Sequence, residues 1–381
     1  MGDVANFSKG TGYSKSDLKG TGSPIILYGR LYTKYETIIR NVDTFVVPKS
    51  GSVFSKGGEV IVPGSGETAE DISIASVVEL AGILLGGDLN IIYPNSDLDP
   101  AFLAITISNG KPHFDMARRA QGKSVVHLHN ADLKHILLKT PNLSEQKRIS
   151  KIFESLDHTI TLHEEKKRQL ERLKSALLQK VFADKNGYPG VRFKGFSDEW
   201  EQCKLGDISS SYSGGTPKAG TRKYYNGKIP FIRSGEISND FTELTITEDG
   251  LRNSAAKMVG KGDILYALYG ATSGEVSIAR INGAINQAIM AIKPFEGFDS
   301  YLLASLLQNN KTKITEKYLQ GGQGNLSATI VKNLKLKVPS SKEQKLIGIL
   351  LLRLDRSITL YEHKLELLKR LKCSLLQNMF I

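Results

Sequence analysis

Two stretches of the chain, 145–182 and 343–380, repeat each other without a gap. The shift between them is 343 − 145 = 198 residues, and about half of their positions are identical. Each copy follows a proline, Pro141 or Pro339, at the same shift. A repeat of this length indicates a duplicated structural unit. The chain is therefore expected to fold as two related halves.

Both copies have the apolar pattern of a long helix. Apolar side chains step by alternating fours and threes, a period of 3.5 residues that is typical of a coiled-coil seam. The first copy carries Ile149, Phe153, Leu156, Ile160, His163, Lys167, Leu170, Lys174, Leu177 and Val181 in this register, and the second carries Ile347, Leu351, Leu354, Ile358, Tyr361, Leu365, Leu368, Lys372, Leu375 and Met379. We predict two long helices that pair as an antiparallel coiled coil. The alternative is that each helix is buried separately in its own domain.

The segments between the helices are also doubled, though more faintly. Short β-branched and aromatic runs alternate with glycine turns, which favours an α+β fold. The paired segments are GDVANFSKGTG (2–12) with GDISSSYSGGT (206–216), SPIILYGRL (23–31) with IPFIRSGEI (229–237), and KGGEVIVPGSG (56–66) with KGDILYALYG (261–270). The predicted order, with a pseudo-twofold internal repeat, is a globular domain at 1–143, a helix at 144–185, a second globular domain at 186–340 and a second helix at 341–381.

The charge balance points to a polyanionic partner. The chain has 51 Lys and Arg against 39 Asp and Glu, a net charge of +12. This surplus favours nucleic acid over membrane, although a merely solvated basic surface is the alternative. Two cysteines make no disulfide framework and fit a reducing cytosol, and no apolar stretch is long enough to span a bilayer. The sequence therefore predicts a cytoplasmic protein without membrane contact.

An internally doubled, basic protein is suited to duplex DNA, because two reading domains can contact two half-sites. The helices have diverged less than the globular domains. We therefore expect the two half-sites to differ in sequence.

An ordered set of short motifs accompanies the repeat: KLGDI (204–208), SGGTP (213–217), IPFIRSGEI, INQAIMAI (285–292), QGKSVVHLHNADLK (121–134) and the two helix starts that run from Pro141 to Lys147 and from Pro339 to Lys345. In these motifs the chain resembles the specificity (S) subunit of type I restriction–modification enzymes. No single motif is specific, but the ordered and duplicated set is, and it covers essentially the whole chain. The resemblance implies two target recognition domains that alternate with two conserved helices.

The resemblance also implies a function without catalysis in this chain. Such a subunit binds a bipartite DNA target and directs methylation and ATP-driven cleavage by separate modification and restriction subunits, with two copies of the modification subunit. S-adenosylmethionine, ATP and magnesium are then expected in the partner subunits and no cofactor in this chain. The alternative is a non-catalytic coiled-coil adaptor whose globular domains bind proteins.

We predict DNA contacts where basic, amide, hydroxyl and tyrosine side chains are clustered near glycine turns. Arg, Lys, Asn and Gln read base edges, and Lys, Tyr and hydroxyl groups hold phosphates. The YGRLYTKY segment (28–35) places four of these side chains on alternate positions, as on one face of a strand. The candidates are Tyr28, Arg30, Tyr32, Lys34, Ser65, Thr68, Arg118, Arg119, Gln121, Lys123 and Ser124 in the first half, and Thr216, Lys218, Arg222, Lys223, Tyr224, Tyr225, Arg233, Ser234, Tyr269, Gln320, Gln323 and Asn325 in the second.

Two other patterns predict no catalytic, cofactor-binding or metal-binding site. Asp157, Glu164 and Lys166 form a D…ExK pattern that recurs at shift 198, but on a helix residues two apart point to different faces. His127 and His129 have no cysteine or carboxylate at metal-ligand spacing nearby, so they are interpreted as turn or strand residues.

The halves differ at their starts. The second domain has a lead-in, VRFKGFSDEWEQCKLGDI (191–208), that carries Trp200, whereas the first half begins at GDV without an equivalent. Either the start of the first half is trimmed or a downstream start is used, so the sequence does not define the edge of the first recognition domain.

Overall fold

The chain forms two compact units, and each combines a globular domain with part of both long helices. The structure, a computed structural model, describes residues 1–122, 124–319 and 325–380. Unit 1 comprises residues 1–165 and 362–381, and unit 2 comprises residues 166–361. Each unit therefore contains segments from two distant parts of the sequence.

Each globular domain is followed in the chain by one helix of unusual length. The helices of the described residues are α1 (Arg30–Thr33), α2 (Pro100–Ser108), α3 (Gly110–Arg119), α4 (Asn130–Lys134), α5 (Leu143–Lys180), α6 (Leu205–Ile208), α7 (Glu248–Arg252), α8 (Ser300–Asn309), α9 (Lys311–Tyr318), α10 (Ala328–Lys332) and α11 (Ser341–Met379). No helix in the described part of the chain is long and apolar enough to cross a membrane.

The strands are short, as expected for segments interrupted by glycine turns. They are β1 (Ala5–Lys9), β2 (Ser23–Ile26), β3 (Ile38–Ile39), β4 (Phe45–Val46), β5 (Glu59–Pro63), β6 (Ser65–Gly66), β7 (Ser76–Val78), β8 (Leu84–Leu85), β9 (Leu89–Pro94), β10 (Val126–His127), β11 (Glu201–Lys204), β12 (Ser209–Ser213), β13 (Tyr225–Ile232), β14 (Thr245–Ile246), β15 (Lys257–Val259), β16 (Ile264–Ala267), β17 (Val276–Ile278), β18 (Gly283–Ile285), β19 (Ile289–Pro294) and β20 (Lys335–Val338).

The duplication seen in the sequence recurs in the sheets. Unit 1 has a sheet of order β1-β9-β5-β7-β3, and unit 2 has one of order β12-β19-β16-β17. A second sheet has the order β4-β2-β8 in unit 1 and β14-β13-β18-β15 in unit 2. In this second sheet, β2 and β8 run parallel in unit 1, and β13 and β18 run parallel in unit 2. The two domains therefore share one topology, and the predicted α+β fold with an internal repeat is confirmed.

A buried glutamine makes the same hydrogen bonds near the start of each long helix. In unit 1 the side chain of Gln146 donates to the Pro141 carbonyl (2.9 Å) and accepts from the Asp99 amide (2.9 Å). Gln344 makes the same two bonds in unit 2, to the Pro339 carbonyl (2.8 Å) and from the Asp299 amide (3.0 Å). Asp99 and Asp299 are the N-caps of α2 and α8. Each glutamine thus fixes a long helix to a helix of its own domain.

Within each unit the two long helices run antiparallel. In unit 1, Asp157 of α5 pairs with Lys372 of α11, and Glu164, one heptad later, pairs with Lys369 at 2.6 Å, earlier in α11. In unit 2, Lys174 pairs with Asp355. Since 157 + 198 = 355 and 174 + 198 = 372, the two ion pairs are one interaction generated twice by the repeat. The lysines that interrupt the apolar seam therefore have a partner across it.

Seam residues are buried at positions distributed along both long helices. Phe153, Ile347, Leu351, Leu354 and Leu365 are at most 9% exposed. Of the leucines outside the seam, Leu162, Leu360 and Leu367 are exposed, whereas Leu178 and Leu376 pack against the cores of their units.

Candidate nucleic-acid interface

Three loops of unit 1 meet around Ser65 and His127. The Tyr32 hydroxyl donates to the Ser65 carbonyl at 2.6 Å, and the Ser65 hydroxyl lies 3.0 Å from Nδ1 of His127. The backbone of His127 exchanges two hydrogen bonds with Gln121 (2.8 and 3.0 Å). His129 stacks on His127 with ring centroids 6.4 Å apart. The structure therefore brings Tyr32, Ser65 and Gln121, predicted from separate segments, into one cluster.

Because the Tyr32 hydroxyl is partly buried, it acts as a hydrogen-bond donor in this cluster. Desolvation raises the pKa of its phenol well above the ordinary value. The phenol therefore stays protonated and donates to Ser65, and its ring meets that of Tyr28 edge-on at 6.2 Å. Tyr28 and Gln121 remain exposed beside it.

Unit 2 builds the same loop junction with different side chains. Tyr269 forms a β-bridge with Asn325, as Ser65 pairs with His127 in unit 1. The flanking bonds match as well, because the Leu128 amide donates to the Gly64 carbonyl (3.0 Å) and the Leu326 amide to the Leu268 carbonyl (2.9 Å). Ser65 and Tyr269 thus take equivalent places in the two units, as do His127 and Asn325.

The 28–35 segment is not the strand that its alternating side chains predicted. Residues 30–33 form the helical turn α1 instead. Arg30 is buried, and its guanidinium donates to Glu36 (2.7 Å), Asp43 (2.9 Å) and the Asn41 carbonyl (2.8 Å). The prediction of one strand face carrying Tyr28, Arg30, Tyr32 and Lys34 is therefore wrong, and Arg30 is a structural residue that holds this loop.

The other candidates of unit 1 have mixed surroundings. Ser65 is 6% exposed, so its hydroxyl supports His127 rather than lying at the surface. Lys34 is exposed and pairs with Asp43 at 3.1 Å, and Thr68 bonds Asp71 at 2.7 Å. Arg118, Arg119 and Ser124 are exposed at and beyond the end of α3. Lys123 lies outside the described residues.

A basic loop of unit 2 leads into its junction. Lys218, Arg222 and Lys223 are exposed and form no ion pair within the described residues, and the Lys223 ammonium lies 5.4 Å from the centre of the Tyr224 ring. The loop is closed by a hydrogen bond of 2.7 Å from the Tyr225 hydroxyl to the Pro217 carbonyl. Three unpaired cations on one ordered loop are suited to phosphate contact.

Thr216 connects this loop to the strand junction. Its hydroxyl donates to Oε1 of Gln287 at 2.6 Å, and both residues are exposed. The residue after Gln287 is Ala288, and its carbonyl accepts a hydrogen bond of 2.7 Å from the amide of Leu268, the residue before Tyr269. Thr216, Gln287, Tyr269 and Asn325 thus form one polar edge.

Arg233 forms ion pairs with two glutamates. It donates to Glu236 (3.0 Å) and Glu243 (2.5 Å), and the bonds from Arg233 hold the pKa of the Glu236 carboxyl below its ordinary value. In the paired segments Glu236 aligns with Arg30, so the two units use opposite charges at one structural position. Arg233 thus braces its loop, and Ser234 beside it is half-buried. Gln320 and Gln323 lie outside the described residues.

A family model described as the type I restriction modification DNA specificity domain matches residues 1–172 and 197–370. The chain belongs to this family. Its two matched segments each contain one of the loop junctions described above. The family resemblance stated from the sequence is therefore confirmed.

Individual relatives agree with this assignment. The type I restriction enzyme MjaIX specificity subunit of Methanocaldococcus jannaschii is 29% identical over 194 residues, which are 48% of this chain and 44% of that protein. The MjaVIII specificity subunit of the same organism is 22% identical over 353 residues, 86% of this chain and 79% of that protein. The S subunit from M. genitalium is 15% identical with a TM-score of 0.65, and the match covers 100% of this chain and 94% of that chain. At this identity the likeness shows the fold.

Two residues of this specificity-domain chain were missed in the sequence. His127 was interpreted only as a turn or strand residue, and Gln287, within the INQAIMAI motif, was not selected. The alignment of His127 with Asn325 at shift 198 was the available signal for the first residue. Gln287 could be found only by its contact with Thr216, which lies 71 positions away.

The carboxylates of the D…ExK pattern have separate partners. Asp157 pairs with Lys372 and Glu164 with Lys369, so each contributes to the pairing of the long helices. Among the residues that the structure describes, no group of three His, Cys, Asp or Glu side chains could hold a metal ion.

Proposed function

We propose that this chain is the DNA-recognition subunit of a type I restriction–modification complex and that each unit reads one half of a split target. The observation that carries the proposal is the loop junction, which has one backbone geometry in both units and different side chains. Identical scaffolds with unlike polar groups suit two half-sites of unlike sequence.

The side chains at the two junctions have the chemistry for reading bases. Gln287 and Asn325 carry amides, which can both donate to and accept from the adenine edge in the major groove. His127 and Gln121 offer a different set of donors and acceptors in unit 1. The exposed Lys218, Arg222 and Lys223 would hold phosphates and fix the register of unit 2 on the duplex.

The chemistry of modification and cleavage would lie in other subunits. The chain would assemble with modification subunits, in two copies, and with restriction subunits, and S-adenosylmethionine, ATP and magnesium would bind those partners. The support is the family, whose members here are named specificity subunits of restriction enzymes. The loop junctions of the two units would supply the DNA contacts through which this chain directs the partners.

Methylation mapping tests the proposal. The gene would be expressed with its modification gene in a methylation-free host, and the genome would be sequenced for methylated bases. We expect one split motif whose two halves differ in sequence and are separated by unspecified bases. A continuous motif, or two identical inverted halves, would contradict the assignment of one unlike half-site to each unit.

A further inference from the structure

An asparagine is buried next to the loop junction of unit 1. Asn90 lies on β9, opposite Val62 of β5, and is fully buried. It shares a face of the sheet with Ile92, because side chains two residues apart on a strand point the same way. Ile92 packs in the core cluster that also contains Val62 and Leu128. A polar side chain therefore occupies a place among apolar ones.

The side-chain amide of Asn90 binds both arms of the junction. Its Nδ2 donates to the Leu128 carbonyl at 2.8 Å and to the Pro63 carbonyl at 3.4 Å. Leu128 follows His127 in the chain, and Pro63 ends β5, the strand that leads into the junction. The Leu128 amide is bound as well, because it donates to the Gly64 carbonyl at 3.0 Å. The backbone directly after His127 is thus held on both sides.

Unit 2 has the same strands at this place but a different side chain. The shift between the equivalent strands β9 and β19 is 289 − 89 = 200 residues, so Asn90 corresponds to Met290. Met290 pairs with Tyr266 of β16 as Asn90 pairs with Val62 of β5, and it is buried in the core of its unit. A thioether has no N–H to donate. The domain therefore forms this part of its core without an asparagine.

Burial of Asn90 has an energetic cost that the fold does not require. Its Oδ1 is buried and has no hydrogen-bond partner within the described residues. A buried acceptor without a partner destabilises the folded state. Because Met290 occupies the equivalent position without such a group, packing alone does not account for the asparagine. What Asn90 adds is the pair of hydrogen bonds that fix the backbone beside His127.

We propose that Asn90 is a positioning residue for DNA reading by unit 1. This role rests on the proposed function, in which His127 contributes to the reading of one half-site. The Nδ2 of Asn90 fixes the carbonyl of Leu128, and this backbone determines where the imidazole of His127 meets a base edge. A hydrogen bond to a base edge depends on distance and angle. A shift of this backbone therefore relaxes the choice of base while the domain stays folded.

The substitution Asn90→Met tests this role, because unit 2 carries methionine at the equivalent position. The full chain is expressed with its modification subunit, and the methylated motif is read by genome sequencing. Asn90→Met should reduce discrimination about tenfold at one base position of one half-site, and His127→Ala should reduce it at the same position. The double variant should show no further loss, since both changes act on one contact. The other half-site should stay unchanged in all three variants.

The matched control is Val60→Ala. Val60 is fully buried in the same core cluster and lies opposite Ile92 on β9. Its truncation should lower the melting temperature and leave the motif unchanged. The proposal would be overturned by an Asn90→Met chain that does not fold or that methylates the unchanged motif, and equally by a Val60→Ala chain that relaxes the same base position. Absence of a split motif with the unchanged chain would instead refute the proposed function, and the role of Asn90 with it.

Discussion

Gln344 offers a sharp test of how the long helix is joined to its domain. The side chain is 2% exposed and bonds the Pro339 carbonyl and the Asp299 amide. Gln344→Leu keeps most of its volume but removes both partners, which leaves a backbone donor and a backbone acceptor unsatisfied. Each such buried group costs about 1–3 kcal/mol. The free energy of unfolding should therefore fall by about 2–6 kcal/mol.

The only tryptophan of the chain makes the measurement specific. Trp200 belongs to unit 2 and is buried in the core cluster that includes Ile347 and Leu351 of α11. Urea unfolding followed by its fluorescence should shift to clearly lower denaturant for Gln344→Leu. The exposed neighbour provides a control, Lys345→Leu, which should shift the transition little. If the two variants unfold at the same urea concentration, the glutamine bonds do not stabilise the helix start and the reasoning is refuted.

Three further substitutions test other parts of the structure. Leu354→Asp places a charge at a seam position that is 9% exposed, so it should lower the free energy of unfolding by several kcal/mol. The control Leu360→Asp changes a position that is 53% exposed and should have little effect in the same unfolding assay. Equal effects of the two variants would contradict the assigned seam. Asp355→Lys should lower the melting temperature, and adding Lys174→Asp should recover part of the loss because the ion pair is restored with exchanged charges. A double-mutant cycle measures this coupling, and its absence would count against the antiparallel register. Arg30→Gln should lower the melting temperature by leaving its loop unbraced, and an unchanged value would show that Arg30 is not structural.

The architecture could be predicted because the same helical pattern occurs in both halves of the sequence. The seam positions from Ile347 to Leu365 recur every three or four residues, and this periodicity depends only on the local helix. The observed α5 and α11 begin at Leu143 and Ser341, as the prolines at 141 and 339 indicate. Their antiparallel direction was predicted on the expectation that a duplicated chain folds with pseudo-twofold symmetry.

The loops were less predictable because distant residues determine their structure. The alternation of Tyr28, Arg30, Tyr32 and Lys34 resembles a strand, but Arg30 is drawn inward by the carboxylate of Asp43, which local pattern does not reveal. The local pattern therefore places Arg30 on an exposed strand face, although its side chain is buried.

The same reasoning explains the seam lysines. Lys174 and Lys372 look like errors in an apolar stripe when each helix is considered alone. Their partners Asp355 and Asp157 lie across the helix pair and far away in sequence. Only the pairing of the two helices gives these residues a role.

Methylation mapping of two single variants tests the central claim, that each unit reads its own half-site, most directly. His127→Ala changes the junction of unit 1, and Gln287→Ala changes that of unit 2. A lost base contact costs about 1–3 kcal/mol at the affected position only. With the variants expressed beside the modification subunit, His127→Ala should relax or weaken one half of the methylated motif and Gln287→Ala the other half. If either variant changes the bases recognised in both halves, the two units do not read DNA independently.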